Sequence, residues 1–255
     1  MGVREELAPT GTLRVAVNYG NPALAQREPV SGEPRGVSVD IARALAHRLD
    51  LPIALSTFDA AGRVFEALLS GSLDLVFLAI DPARAGQILF TAPYGIIEGT
   101  CLVRADCPCA RLGEFDRPGV RIAVGRGSAF DLFLSRHLRH ATLARAQTSA
   151  QALELFIEAG LEAAAGLRPT LSEYACARPG LRVLEESFTT IRQALGTPVG
   201  RPAAHAWLEA RIEELKADGF IAGALARSGQ RGVVVAPAAD SHPFIQLSGT
   251  VDTPR

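Results

Sequence analysis

The sequence predicts an α/β fold built from two doubly wound lobes, and three features of the 255-residue chain support this prediction. Short apolar or β-branched segments of strand length alternate with segments of helical periodicity, which is typical of parallel sheets covered by helices. This alternation occurs twice along the chain in the same order. The hydrophobic content of 48% is sufficient for a sizeable core, and the length suits one large domain or two ordinary ones.

The first unit has the order strand, helix, strand, helix, strand. Its first helix carries apolar residues four positions apart, which form one buried stripe, and Ser38 or Asp40 is the expected N-cap. Its last strand is a continuous apolar run, as expected of a buried parallel strand. The predicted elements are residues 13–17, 37–49, 52–57, 61–70 and 73–79.

The second unit repeats this order, and Ser128 with Asp131 forms a capping-box-like start of its first helix. Crossovers between parallel strands are right-handed, and ligands of such open sheets bind outside the carboxyl ends of the strands. We therefore expect a binding site in the cleft between the two lobes. The predicted elements are residues 120–124, 130–138, 142–146, 150–159 and 161–166, and another helix starts near residue 170.

The remaining chain does not form a third unit. Residues 182–184 and 192–195 are predicted strands, and residues 203–217 form a predicted helix that ends at an Asp-Gly pair. The segment 233–255 is rich in proline and polar residues, and we expect it to be a loose tail.

Charge and hydrophobicity argue against a nucleic-acid partner and against a membrane-spanning segment. The net charge is −1, from 26 basic and 27 acidic residues, so no basic field exists to hold a nucleic acid. No run of about 18 apolar residues predicts a membrane-spanning helix. The first residues lack the basic, apolar and small-residue segments of a signal peptide, which favours a cytoplasmic location. A periplasmic protein whose signal has been removed is the alternative.

Cysteine and histidine spacing does not indicate a metal site. Cys107 and Cys109 have a C-x-C spacing, whereas zinc sites use pairs two to four residues apart together with further ligands. His137 and His140 lie three apart on a predicted helix, where a solvated face is the simpler interpretation. No nucleophile elbow, phosphate-binding loop or H-E-x-x-H motif occurs, so we expect no catalytic residue, metal or cofactor.

Seven segments occur in an order that resembles the family 3 solute-binding proteins of amino-acid ABC transporters. No single segment is specific, but their order extends over residues 7–230. The segments are LRVAV (13–17), GVSVDIARAL (36–45), GSLDLV (71–76), DPAR (81–84), FTAPY (90–94), GVRIAV (119–124) and KADGF (216–220).

The resemblance implies the periplasmic binding protein type 2 architecture. In that architecture the first lobe contains both chain ends, the second lobe is inserted, and two crossing strands form the hinge. For this chain it implies a first lobe of residues 7–101 plus 189–232 and a second lobe of residues 102–188. It also implies a monomer with a small anionic ligand and, if the protein is exported, an ABC permease as partner.

Candidate ligand contacts in the first lobe follow its strands. Arg84 comes just after a buried strand, and a guanidinium grips a carboxylate with two parallel hydrogen bonds, a role that the resemblance also implies. Asp81 precedes a proline and suits the N-cap of a helix, while a ligand contact is equally open. Asn18 and Tyr19 end the first strand, and Phe58 lies where the family often has an aromatic platform.

The second lobe supplies Gly127, Ser128 and Arg168. Backbone N–H groups and a hydroxyl at the turn before a helix form an anion seat, and the resemblance implies that it binds the ligand carboxylate. In the amino-acid binders an aspartate after the strand at 161–166 pairs with the ligand's α-ammonium, and Arg168 falls on that position by count. An arginine there would reject ordinary amino acids and favour a dicarboxylate, keto acid or hydroxy acid. Alternatively, the register differs by one residue and Arg168 points to solvent.

The leading hypothesis is a hinged binding protein for a small anionic solute, which serves a transporter or acts as a soluble sensor. A second hypothesis is a lyase similar to cyclohexadienyl dehydratase, acting on a prephenate-like dianion with Asp81 or Glu98 as the acid. A third is a regulatory protein whose cleft is vestigial. Glu98 and Gln193 lie in the predicted crossing strands, from which either could reach the cleft.

Overall fold

The computed structural model describes residues 2–229 and 232–239. The strands are β1 (Leu13–Asn18), β2 (Gln26–Arg27), β3 (Pro34–Arg35), β4 (Ile53–Phe58), β5 (Val76–Ala79), β6 (Ile88–Phe90), β7 (Gly95–Arg104), β8 (Arg121–Gly125), β9 (Thr142–Ala146), β10 (Ala163–Leu167), β11 (Leu181–Val183), β12 (Thr189–Pro198) and β13 (Val233–Val235). The helices are α1 (Val3–Leu7), α2 (Val37–Arg48), α3 (Ala61–Leu69), α4 (Pro82–Ala85), α5 (Ala129–His137), α6 (Ser149–Glu158), α7 (Arg168–Cys176), α8 (Pro202–Ala217) and α9 (Phe220–Arg227), with a 3₁₀ turn at Leu112–Phe115.

The two predicted units form two lobes with the same strand order. In lobe 1, β1 is parallel to β4, and a bridge from Val15 to Leu75 joins it to the segment that enters β5. In lobe 2, β8 lies between β9 and β10 and is parallel to both. The first strand of each unit is therefore central, which is the doubly wound arrangement that the sequence predicts.

The long strands β7 and β12 connect the lobes. They pair antiparallel, from Thr189 opposite Gly99 to Gln193 opposite Gly95. β12 continues beside β5 of lobe 1, and β7 continues beside β10 of lobe 2. These are the two crossing strands that the architecture requires, while the lobe boundaries at 101/102 and 188/189 stay a prediction.

Helices bury the sheets through the expected apolar stripes. Helix α2 buries Ile41 and Leu45, and α8 buries Leu208, Ile212 and Leu215 in the same core. A smaller core in lobe 2 packs α6 and α7 against β8 and β10. Among the residues that the structure describes, no helix is both long and apolar enough to cross a membrane.

The start of α2 differs from the prediction. The N-cap is Gly36 at φ +114, and no side chain caps the helix, so the expected cap at Ser38 or Asp40 is wrong. A Cβ atom on Gly36 would lie 2.6 Å from the carbonyl oxygen of Leu24, so the close approach of these two backbone segments requires glycine.

The tail also differs from the prediction where it can be compared. Residues 233–235 form β13, which pairs antiparallel with β7, and Ala236 behind it is buried. The run of three valines supplies the β-branched residues that favour a strand. The prediction of a loose tail is therefore wrong at this point, and residues 240–255 lie outside the described part of the chain.

A buried carboxylate joins three parts of lobe 1. Asp74 is 0% exposed and accepts hydrogen bonds from Arg14 at 2.7 and 2.9 Å and from Arg201, which precedes α8, at 2.8 Å. Burial alone raises the pKa of Asp74, but the hydrogen bonds from both arginines outweigh it, and the pKa lies below its ordinary value. The three charges therefore form a satisfied ionic cluster.

Candidate functional site

A cleft of about 780 Å³ lies between the lobes, at the carboxyl ends of strands from both. Its size falls in the range of small-molecule sites. The crossing strand β12 contributes Ile191 and Gln193 to its wall. The cleft therefore lies where the doubly wound order predicts a ligand.

Arg84 is the one charged residue that is both buried and part of the cleft wall within the described chain. It sits on the short helix α4, directly after β5, and is 2% exposed. Its guanidinium donates to the carbonyl oxygens of Ala79 at 3.3 Å and Gly127 at 2.7 Å, and it lies over the ring of Phe65. No carboxylate of the described residues accepts a hydrogen bond from it.

Burial changes the acid–base character of Arg84. Desolvation lowers the pKa of its guanidinium to about 10, and the charge of Asp81 offsets only part of this effect. The group remains a cation at neutral pH. The cleft thus contains a desolvated positive charge that still has N–H donors available for a ligand.

The turn between β8 and α5 is built differently from the expected anion seat. Ser128 caps α5 by accepting from the N–H of Asp131, and its side chain lines the cleft. The N–H of Gly127 donates to Asp131 at 2.9 Å, so this donor is already used within the protein. Gly127 instead offers its carbonyl oxygen to Arg84, which joins the two lobes.

Asp81 also joins the lobes. Its carboxylate accepts two parallel hydrogen bonds from Arg136 of α5, at 2.9 and 2.8 Å, and a third from the N–H of Ala83. It does not line the cleft. The N-cap role that the sequence indicates is confirmed, and the carboxylate forms an ion pair between the lobes.

Of the other candidates in the first lobe, two line the cleft and one does not. Asn18 and Tyr19 line the cleft at the end of β1, where Asn18 accepts from the N–H of Gly20 at 2.9 Å and Arg27 lies over the Tyr19 ring. Phe58 does not line it and packs against a lobe 1 core that includes Val64. The platform expected of Phe58 is therefore not part of this cleft.

Arg168 does not reach the cleft. Its guanidinium binds Glu98 of β7 at 2.5 Å, Ser187 at 2.8 Å and the carbonyl oxygens of Leu184 and Glu185. Leu167, the last residue of β10 and one position earlier, lines the cleft. Arg168 therefore neither lines the cleft nor points to free solvent, but joins β7 to the segment that precedes β12.

Several residues that line the cleft are not indicated, or are only weakly indicated, by the sequence. Phe77, Phe130 and Leu167 form apolar walls, and the buried Gln193 also lines the cleft. Their signal is weak because buried apolar residues near strand ends are equally typical of a core. Among the described residues no cluster of three or more metal-ligating side chains occurs.

Two lobes, two crossing strands and a cleft between them define a hinged binding protein of the periplasmic type 2 architecture. The family model of the bacterial extracellular solute-binding proteins, family 3, matches residues 13–228, and the chain belongs to this family. The resemblance identified from the sequence segments is therefore confirmed. No curated protein sequence matches the chain.

Solved structures confirm the architecture. An ancestral amino-acid-binding protein, a precursor of cyclohexadienyl dehydratase, is 22% identical, with a TM-score of 0.75 over 89% of this chain and 99% of that one. A histidine kinase sensor domain similar to periplasmic binding proteins is 23% identical, with a TM-score of 0.75 over 88% and 98%. An amino-acid ABC transporter substrate-binding protein from Streptococcus pneumoniae, bound to L-arginine, is 18% identical, with a TM-score of 0.76 over 92% and 100%.

Proposed function

We propose that the protein binds a small carboxylate-bearing solute in the cleft, with Arg84 as its main contact. The observation that carries this proposal is a desolvated guanidinium in the cleft wall whose hydrogen-bond partners are backbone carbonyls. Burying a charge without a counter-ion is costly. A buried, unpaired charge in the wall of a cleft therefore suits a ligand of opposite charge. A carboxylate fits a guanidinium with two parallel hydrogen bonds.

Lobe 2 can complete the site from the opposite side. The hydroxyl oxygen of Ser128 accepts from the N–H of Asp131, which leaves its own proton for a ligand atom in the cleft. The lobes already touch through Arg84 with Gly127 and through Asp81 with Arg136. We propose that these contacts form as the solute is enclosed, and that an ABC permease or a sensor partner recognises the closed form.

Binding without chemistry is favoured over the lyase alternative. The two residues expected as an acid, Asp81 and Glu98, do not line the cleft. Hydrogen bonds from Ser187 and Arg168 lower the pKa of Glu98, which is opposite to what a general acid needs. A direct assay for product from prephenate tests this alternative, and turnover would contradict the binding role.

The proposed contact is tested by isothermal titration calorimetry with 2-oxo, 2-hydroxy, amino and dicarboxylic acids. Arg84→Met should weaken binding of the tightest acid by roughly 10- to 150-fold, since a hydrogen bond to a charged group contributes about 1.5–3 kcal/mol. Arg126→Met is the matched control, because this arginine lines the same cleft but is exposed. Equal loss in both variants, or no binding of any acid to the native protein, would contradict the proposal.

A further inference from the structure

We infer that the solute is a carboxylic acid without an ammonium group, with an apolar body and a neutral oxygen beside its carboxylate, as in a 2-oxo or 2-hydroxy acid. The inference rests on the proposed carboxylate contact at Arg84 and specifies the rest of the ligand. Three observations carry it: the position of the acidic residues, the apolar inner wall and the free amide of Gln193.

The carboxylates that line the described cleft lie at its exposed rim. They are Asp59, Glu154 and Glu173, and each is exposed. Asp59 pairs with Arg63, and Glu154 accepts from the hydroxyl of Tyr174. Water and salt screen such groups, so they contribute little to holding a cation inside the cleft.

The inner wall has no acidic side chain among the described residues. It is formed by Phe77, Ala79, Phe130, Leu167 and Ile191, all buried and apolar. An α-ammonium enclosed here would lose its water without gaining a counter-ion. Removing an unpaired ion from water is costly, so an amino acid is disfavoured.

Other polar groups nearby do not change this balance. Asp81, the buried carboxylate on the same helix start as Arg84, already accepts three hydrogen bonds from Arg136 and Ala83. The polar residues of lobe 1 at the cleft, Asn18, Tyr19 and Asn21, are neutral. They can orient a ligand but cannot neutralise an ammonium.

Gln193 indicates a neutral polar atom on the ligand. Its side chain is 5% exposed and lines the cleft, and its amide makes no hydrogen bond with any residue that the structure describes. Gln193 of β12 lies opposite Ala79 of β5 in the sheet. The carbonyl oxygen of Ala79 accepts a hydrogen bond from Arg84, so Gln193 and Arg84 flank the same residue. An amide that a ligand covers loses its water and then needs a hydrogen-bond partner on that ligand. An oxo or hydroxyl oxygen next to the carboxylate would accept from its NH₂ group.

The first test compares acids of one skeleton that differ only at the α-carbon. Calorimetric dissociation constants are measured for L-leucine, 4-methyl-2-oxopentanoate and 2-hydroxy-4-methylpentanoate. The same is done for L-phenylalanine, phenylpyruvate and phenyllactate. We expect the oxo or hydroxy acid of each set to bind at least 10-fold more tightly than the amino acid.

The second test adds a carboxylate to the cleft. Leu167→Asp should shift the ratio of amino-acid to oxo-acid affinity at least 10-fold toward the amino acid, whereas the uncharged Leu167→Asn should not. Circular dichroism and thermal unfolding establish that each variant folds. If Leu167→Asp does not fold, the isosteric Gln193→Glu places the new charge in the same cleft, and the ratio should move in the same direction.

The outcomes separate this inference from the proposed function. If amino acids bind the native protein as tightly as their oxo analogues, and Arg84→Met abolishes that binding, the inference is wrong and the carboxylate contact stands. If none of the six acids binds, the inference is wrong, and if no dicarboxylic acid binds either, the proposed function is wrong as well. An unchanged affinity ratio in the folded charge variants would also overturn the inference.

Discussion

Lobe 1 contains two buried charged sites, one in which every charge is paired and one in which the charge has no counter-ion. At Asp74, one buried carboxylate is shared by two arginines, and every charge has a partner. At Arg84, a buried guanidinium donates to two backbone carbonyls and faces the cleft. The first cluster lies away from the cleft and joins β1, the segment before β5 and the start of α8.

Under the proposed function, the two sites differ because every charge has a partner in the structural cluster and the cation of the binding site has none. A cluster in which every charge is paired has no free hydrogen-bonding group for a ligand, so it contributes only to the stability of the fold. An unsaturated cation lowers the stability of the empty protein and recovers the cost when an anion binds. The three variants below test this difference, from the largest expected effect to the smallest.

Asp74→Asn should cost the most stability, about 3 kcal/mol in the free energy of unfolding, because it leaves two partly buried arginines without their counter-ion. The folded-state pKa of Asp74 lies below its ordinary value of 3.8, so the contribution is present above that pH and is lost as pH falls through the folded-state pKa. Urea unfolding is measured for Asp74→Asn and the native protein from pH 7 to pH 3. The difference between their free energies of unfolding should become smaller only at the acid end of this range. A constant difference would contradict a charge-based role.

Arg84→Met should have the opposite effect and stabilise the empty protein. Burial lowers the pKa of the guanidinium to about 10, so the unpaired charge disfavours the empty fold at neutral pH. After the loss of two hydrogen bonds, we expect a net gain of about 1 kcal/mol, seen as a rise of about 2–4 °C in the melting temperature. Arg14→Met is the control and should lower it, since Arg14 is a partner of Asp74.

Arg136→Ala should have the smallest effect, about 5-fold weaker solute binding, because its pair with Asp81 joins the closed lobes but is partly exposed. Arg139→Ala, an exposed arginine three residues later, is the matched control for calorimetry. An equal loss in both variants would mean that overall charge, not this contact, promotes closure.

Much of this fold is predictable from the sequence because local periodicity determines it. The two repeated units and the position of Arg84 at the cleft, just after a buried strand, follow from residue patterns and position. The Arg168 contact does not, because β10 ends at Leu167 and α7 starts at Arg168, and an error of one position in this boundary replaces one residue by the other at the cleft. The pair of Asp81 with Arg136 depends on how the lobes meet, and no local pattern records that.

The central claim is that Arg84 is the carboxylate contact of the cleft, and a crystal structure of the protein with 4-methyl-2-oxopentanoate tests it most directly. We predict that both carboxylate oxygens lie about 3 Å from guanidinium nitrogens of Arg84, with the oxo oxygen toward the amide of Gln193. A ligand bound elsewhere, with Arg84 still donating only to Ala79 and Gly127, would contradict the claim.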